Sequence, residues 1–365
     1  MIGIITLIAT SAFGQTCENT CVDDLGDFAV SQYDIIGIDQ AGHYLEVDGG
    51  WADTDWSFVN PYTAGITFSE LEGSPKATEW GCGILATYGY VGNVACWGWT
   101  ADDEVKNAPP PMTDPADGSQ WQSDAPYAEM DISLKAGCAI GSTGTILAWS
   151  YSTQPKLEDD RPTAAGYTQC AASDPMMCAV GQTNGGVDCW GSLTQLDIPA
   201  PTTGTYTDVS CRSNRWCFAT QDDGTLDYFG DDGELTFRDN APTATNLIEV
   251  HTNERGAKAA VARDSDGYVW AWQYDTSIIG AVDEIPMAPG AYSQRSRTRR
   301  TAMKFSDVKL EYGNVCGLIS ETYSGDIECS DASTQTVTFV KGDLVCWGTN
   351  SGVCAEVIHP SCPSI

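Results

Sequence analysis

The sequence predicts an all-β protein made of seven stacked repeats, and three observations predict it. First, a glycine stands five positions before an aromatic at Gly92/Trp97, Gly144/Trp149, Gly185/Trp190, Gly224/Phe229 and Gly267/Trp272. Gly42 and Gly325 take the same place in two further units, where Val47 and Ser330 replace the aromatic. The glycine-to-glycine steps are 50, 52, 41, 39, 43 and 58 residues, a period of repeat architectures rather than of one irregular domain. Second, the apolar runs around each glycine are short and alternate with period two, which is the strand signature. Third, no segment carries a helical apolar stripe. One unit alone cannot bury both faces of so small a sheet, whereas radial stacking can, and it leaves only short protected edges.

The units follow in order. Unit one is a degenerate hairpin, Ile35-Ile36-Gly37-Ile38, a turn to Gly42, then Tyr44-Leu45-Glu46-Val47. Unit two has Cys82-Gly83-Ile84-Leu85 and Val94-Ala95-Cys96-Trp97-Gly98, and its linker holds Pro109-Pro110-Pro111, which excludes helix and central strand. Unit three pairs Cys138-Ala139-Ile140 with Ile146-Leu147-Ala148-Trp149. Unit four reads Met177-Cys178-Ala179-Val180, a glycine turn, and Val187-Asp188-Cys189-Trp190-Gly191. Units five and six turn at Asp223-Gly224 and Asp266-Gly267, pairs that supply the positive φ of a two-residue hairpin. Unit seven holds Cys316-Gly317-Leu318-Ile319, Gly325 and Cys329, and a tail repeats only a last arm, Gly342-Asp343-Leu344-Val345-Cys346-Trp347-Gly348.

These units resemble the repeats of the regulator of chromosome condensation family, above all its secreted bacterial members. The residues that carry the likeness are Cys178-Ala179-Val180 with Cys189-Trp190-Gly191 and Gln195-Leu196, and Asp223-Gly224 with Phe229-Gly230 and Gly233-Glu234-Leu235. The resemblance spans roughly residues 28–350 and is most specific over units two to six. It implies a seven-bladed β-propeller of four-stranded blades. It also implies that the arm at 342–348 is a closing strand joining last blade to first. A rival alignment ends unit seven at Cys346-Trp347 and treats 320–340 as an insertion. The similar spacings of Cys316/Cys329 and Cys82/Cys96 favour the closing strand.

Around this array, residues 1–14 read as a signal segment, with Ala12 and Gly14 at −3 and −1 of a cut before Gln15. Residues 15–27 read as a short lead, and 351–365 as a cysteine-containing tail. Fifteen cysteines behind a signal segment read as a disulfide set of an oxidising compartment. Cys82/Cys96, Cys178/Cys189 and Cys316/Cys329 each fall on two arms of one hairpin, and Cys138 lacks such a partner because Ala148 takes the place. Cys17, Cys21, Cys346, Cys354 and Cys362 are placed to tie the termini. With no Cys-x-x-Cys and three histidines, zinc does not explain the cysteines.

Fifty acids against 18 bases give a net charge of −32, which argues against a nucleic-acid partner. No stretch has the roughly 20 apolar residues of a spanning helix. Against that acidity, Arg295, Arg297, Arg299, Arg300, Lys304 and Lys309 place six of the 18 bases within 15 residues of the linker between units six and seven. Guanidinium forks there suit a carboxylate or sulfate, or the protein's own acids. Trp51, Trp56, Trp99 and Trp121 are off the repeat pattern, as glycan-stacking or edge-covering residues would be. Acids at 48, 53 and 55 and at 222, 223, 231 and 232 are the calcium candidates, although neither group has the loop spacing of a calcium hand. No nucleophile elbow, zinc-protease or phosphate-loop motif occurs. The expectation is a secreted or cell-surface, non-enzymatic scaffold that binds an extracellular protein or glycan through inter-blade loops. The alternatives are a carbohydrate-active enzyme and a structural surface or filament component. The resemblance implies protein partners, as for propeller-type β-lactamase inhibitors; the family's nuclear exchange activity does not carry over to so acidic, cysteine-rich a chain.

Overall fold

The computed structural model describes residues 25–30, 35–48, 67–73, 80–86, 91–98, 126–133, 135–150, 156–174, 176–181, 185–193, 196–212, 216–232, 235–253, 259–273, 285–288, 298–311, 314–328, 333–348 and 356–358. Antiparallel hairpins follow one another along the chain. Blade 1 is β1 (Leu25–Val30), β2 (Ile35–Asp39) and β3 (Tyr44–Asp48). Blade 2 is β4 (Phe68–Gly73), β5 (Trp80–Leu85) and β6 (Val94–Gly98). Blade 3 is β7 (Tyr127–Ile132), β8 (Ala136–Gly141) and β9 (Ile146–Ser150). A one-turn helix, α1 (Lys156–Asp159), leads to blade 4, which is β10 (Tyr167–Ala172), β11 (Met176–Gly181) and β12 (Val187–Gly191). Blade 5 is β13 (Tyr206–Arg212), β14 (Trp216–Gln221) and β15 (Leu226–Gly230), followed by α2 (Leu235–Asp239).

Blade 6 is β16 (Leu247–Thr252), β17 (Ala259–Asp264), β18 (Tyr268–Gln273) and the first half of β19 (Thr298–Glu311). The second half of β19 opens blade 7, which continues as β20 (Asn314–Ile319), β23 (Leu344–Gly348) and β24 (Glu356–Ile358). A separate hairpin, β21 (Tyr323–Glu328) and β22 (Thr334–Phe339), stands between β20 and β23 in sequence.

Blade 7 corrects the sequence reading. Cys316 is in register with Cys346, and the two form the disulfide; the expected Cys316/Cys329 pair does not form. Residues 342–348 are therefore the turn and third strand of blade 7, not a closing strand. Gly342, with φ 92°, takes the turn place expected of Gly325, which lies inside β21. Packing supplies the reason. Trp347 is fully buried, with its ring centroid 5.5 Å from that of Phe305, the place Trp149 and Trp272 fill in their own blades. Ser330 has no surface to offer there. The inserted hairpin instead buries Ile327, Val337 and Phe339 with Ile285, Met287 and Met303. The domain limits shift with it: β1 starts inside the expected 15–27 lead, and β24 lies inside the expected 351–365 tail. Residues 1–14 lie outside the described residues.

The other turn glycines join the blades. Gly42, Gly92, Gly144, Gly185, Gly224 and Gly267 have φ between 64° and 91°. Each of their carbonyls accepts a hydrogen bond from the first residue of the next blade: Phe68, Tyr127, Tyr167, Tyr206, Leu247 and Phe305, at 2.7–3.1 Å. The approach is close enough that a Cβ on Gly224 would stand 2.5 Å from the Asn246 Cα. Apolar clusters then fill each gap. Val94 and Ile84 of blade 2 meet Met130, Ile132 and Trp149 of blade 3. The ring closes where Phe28 and Val30 of blade 1 meet Leu318 and Leu344 of blade 7.

Candidate functional site at the inner strands

The first strand of every blade repeats one pattern: an apolar residue, any residue, a carboxylate or amide, then an apolar residue. The third place is Asp27, Glu70, Glu129, Gln169, Asp208, Glu249 and Asp307 in blades 1 to 7. In all seven blades the pairing register slips immediately before it, as between Phe68 and Glu70 or Phe305 and Asp307. A bulge of this kind re-aims the side chains that follow. Here it turns the oxygen towards the neighbouring blade.

The backbone N–H groups of the next blade donate to those oxygens. Leu71 N donates to Asp27 Oδ2 at 2.8 Å, Met130 N to Glu70 Oε1 at 3.0 Å, and Cys170 N to Glu129 Oε2 at 3.2 Å. Val209 N donates to Gln169 Oε1 at 2.9 Å, and Val250 N to Asp208 Oδ2 at 2.6 Å. Five successive interfaces thus use one device. The fifth place of the strand adds to it: Ala172 N donates to Asp131 Oδ2 at 2.8 Å, and Thr252 N to Ser210 Oγ at 3.1 Å. Blade 6 spends its acid internally, where Arg263 forks onto both oxygens of Glu249 at 2.6 and 2.7 Å. Lys309 of blade 7 reaches over blade 1, where the fifth place is Ala29, to pair with Glu72 of blade 2.

Crowding shapes the charge of this ring. Glu72 and Lys309 each keep only 15% of their side-chain surface exposed. Burial pushes Glu70 up to about 8, against the pull of Lys309, and lifts Asp208 and Asp307 to about 7. Glu129 stands well above its ordinary value, from burial and then from the charges of Glu70, Asp208 and Asp131. Burial pulls on the Lys309 ammonium too, but the carboxylates of Glu72, Asp27 and Asp307 outweigh it and hold its value well up. Burial likewise lifts Glu72 to about 7, against the pull of Lys309, while the lysine keeps its own proton.

The expected site residues divide. Arg299 and Arg300 belong to a strand, not a loop, in register with Ala271 and Trp270. The Arg300 guanidinium lies 3.5 Å from the centroid of Tyr268 and 3.7 Å from Asp264. Lys304 pairs with Glu321 at 3.1 Å. Both cations thus lean on the protein's own surface. Arg295, Arg297, Trp51, Trp56, Trp99 and Trp121 lie outside the described residues. Asp223 accepts from Thr225 N and Oγ1, which is turn chemistry. Asp231 and Asp232 meet Asp197, each offering one oxygen, with all three within 4.8 Å. That is half of the six to eight oxygens that calcium takes.

The disulfides Cys82–Cys96 and Cys178–Cys189 form across hairpins as expected. Cys211–Cys217 also spans a hairpin, and Cys138 bonds Cys170 of the next blade. Cys346, expected at a terminal tie, is bonded within blade 7. Cys17, Cys21, Cys329, Cys354 and Cys362 lie outside the described residues.

No family model matches the sequence, and no curated protein matches it. Solved structures do match. The ectodomain of the Arabidopsis thaliana receptor kinase ACR4 aligns over 93% of this chain and 99% of its own, at 15% identity and a TM-score of 0.55. The fold is that of the regulator of chromosome condensation-type propeller. The entire ectodomain of the Physcomitrella patens receptor kinase CR4 aligns over 88% of this propeller chain and 75% of its own, at 13% identity and a TM-score of 0.55. Yeast RCC1 (Prp20), from its complex with Kap60, covers 78% of each chain at 13% identity and a TM-score of 0.48. Among the described residues no helix is long and apolar enough to cross a membrane.

Proposed function

We propose that this propeller is an extracellular, non-enzymatic scaffold that recognises a protein partner through the segments joining its blades. The observation that carries the reading is covalent. Five disulfides among the described residues staple four blades internally and one pair of blades to each other, and such bonds persist in oxidising compartments. The likeness to a receptor ectodomain supports the same location. The division of the chain supports binding. The inner strands repeat one pattern, while the segments between blades differ widely in length: 99–126 separates β6 from β7, and 192–205 separates β12 from β13. A constant frame with variable connections is how rigid folds present recognition surfaces.

The test is affinity capture from native extracellular material at two salt concentrations. The mature protein is compared with a variant carrying Ser at Arg295, Arg297, Arg299 and Arg300. A protein retained saturably, without turnover, is the expected result. Its loss in the variant places the contact at the blade 6–7 segment. Product release from a polysaccharide panel, with no retained partner, overturns the reading in favour of an enzyme. Disulfide-linked multimers alone favour a structural component.

A further inference from the structure

We propose that the inner-strand ring is a proton-operated clamp, in which carboxyls that hold their protons keep the blades together in mildly acidic surroundings and release that hold as the medium turns alkaline. The argument starts from Gln169. Blade 4 makes the inter-blade bond with a neutral amide oxygen at 2.9 Å, as its acidic neighbours make theirs with carboxyl oxygens. What the position needs is an acceptor, and the carbonyl oxygen of a protonated acid is one. Ionisation strengthens such a bond, so what favours the proton is not the bond but burial and the neighbouring carboxylates.

The charge does carry a cost. The ring holds Asp27 on β1, Glu70 and Glu72 on β4, and Glu129 and Asp131 on β7. Beyond the neutral β10 follow Asp208 on β13, Glu249 and His251 on β16, and Asp307 on β19. Among the described residues of the ring, two cations stand against these carboxylates, each already paired: Arg263 with Glu249, and Lys309 with Glu72. Glu129 is the worst placed, since Glu70, Asp131 and Asp208 all repel it. Like charges gathered in a protein-lined space disfavour joint ionisation.

The sign follows. The folded ring keeps protons on Glu70, Asp208 and Asp307 up to about 7–8, whereas an unfolded chain gives them up near ~4. Between those limits the folded state binds more protons, so stability falls as pH rises. Each such group costs about tenfold in the folding equilibrium per pH unit inside its window.

Urea unfolding between pH 4.5 and pH 9, with disulfides intact, tests the clamp. The midpoint of the wild type should fall steadily from pH 5 to pH 8. Glu129→Gln combined with Glu70→Gln should flatten that slope and raise the midpoint at pH 8. Gln169→Glu adds an acid to the neutral strand β10 and should steepen the slope while leaving pH 4.5 unchanged. Should the double variant fail to fold, the Gln169→Glu comparison and carboxyl ¹³C titration of the wild type decide alone. A wild-type midpoint that rises from pH 5 to pH 8, or variants that run parallel to it, overturns the proposal.

Discussion

The interface between blades 3 and 4 and the one between blades 7 and 1 join the same kind of surface by different means. Blades 3 and 4 are consecutive in the chain. They also share the Cys138–Cys170 disulfide, the Tyr167 N to Gly144 O bond, and two bonds from β10 backbone to Glu129 and Asp131. Blades 7 and 1 are the two ends of the array. Among the described residues they have no covalent link and no counterpart of the glycine bond. They meet through Phe28, Val30, Leu318 and Leu344, and Lys309 straddles blade 1 to reach Glu72. The difference teaches where closure energy resides. A repeat array gains its last interface only by closing, and here apolar burial and one ion pair supply it.

Three experiments sharpen that contrast. Phe28→Ala empties a fully buried place at the closure and should cost about 3–5 kcal/mol, read by urea unfolding. Its larger sign would be loss of cooperativity, with blade 1 opening first in hydrogen exchange. Lys309→Met should come next. It strips Glu72 of its partner, and breaking a buried pair costs ~3–5 kcal/mol. The 15% of each side chain that stays wet puts the effect at or below the lower end of that range. Adding Glu72→Gln should restore most of the loss; no restoration would mean that Lys309 acts by packing alone. Replacing Cys138 and Cys170 together by Ala should cost about 2–4 kcal/mol. Blades 3 and 4 should nonetheless stay docked, with unchanged protection of the Tyr167 amide. If that protection collapses, the covalent tie rather than the hydrogen bonds holds the interface.

The hairpins were legible because their signals are local. Gly92, Gly144, Gly185, Gly224 and Gly267 announce turns that only a residue tolerant of positive φ accepts. Cysteines facing across such a turn, as at 82/96 and 178/189, announce their own partner. Blade 7 was not legible in the same way. Gly325 and Gly342 each follow a short apolar strand and precede a cysteine, so both hairpins read alike. The acid ring was also present as a recurring motif, an apolar residue two places before Asp, Glu or Gln. It went unread because fifty acids crowd the chain, and nothing in a sequence separates one aimed at a neighbouring blade from one facing water.

By itself, then, the sequence determined the β class, the number of units and the turns of the first six, since each of these depends on residues a few places apart. Only the tertiary structure decided which hairpin completes blade 7, which cysteine Cys138 meets, and what the inner acids hold. Those choices depend on which surfaces come together across the ring. Trp347 fills an inter-blade space that Ser330 cannot, and of the seven side chains that follow a register slip, five meet the backbone of the next blade.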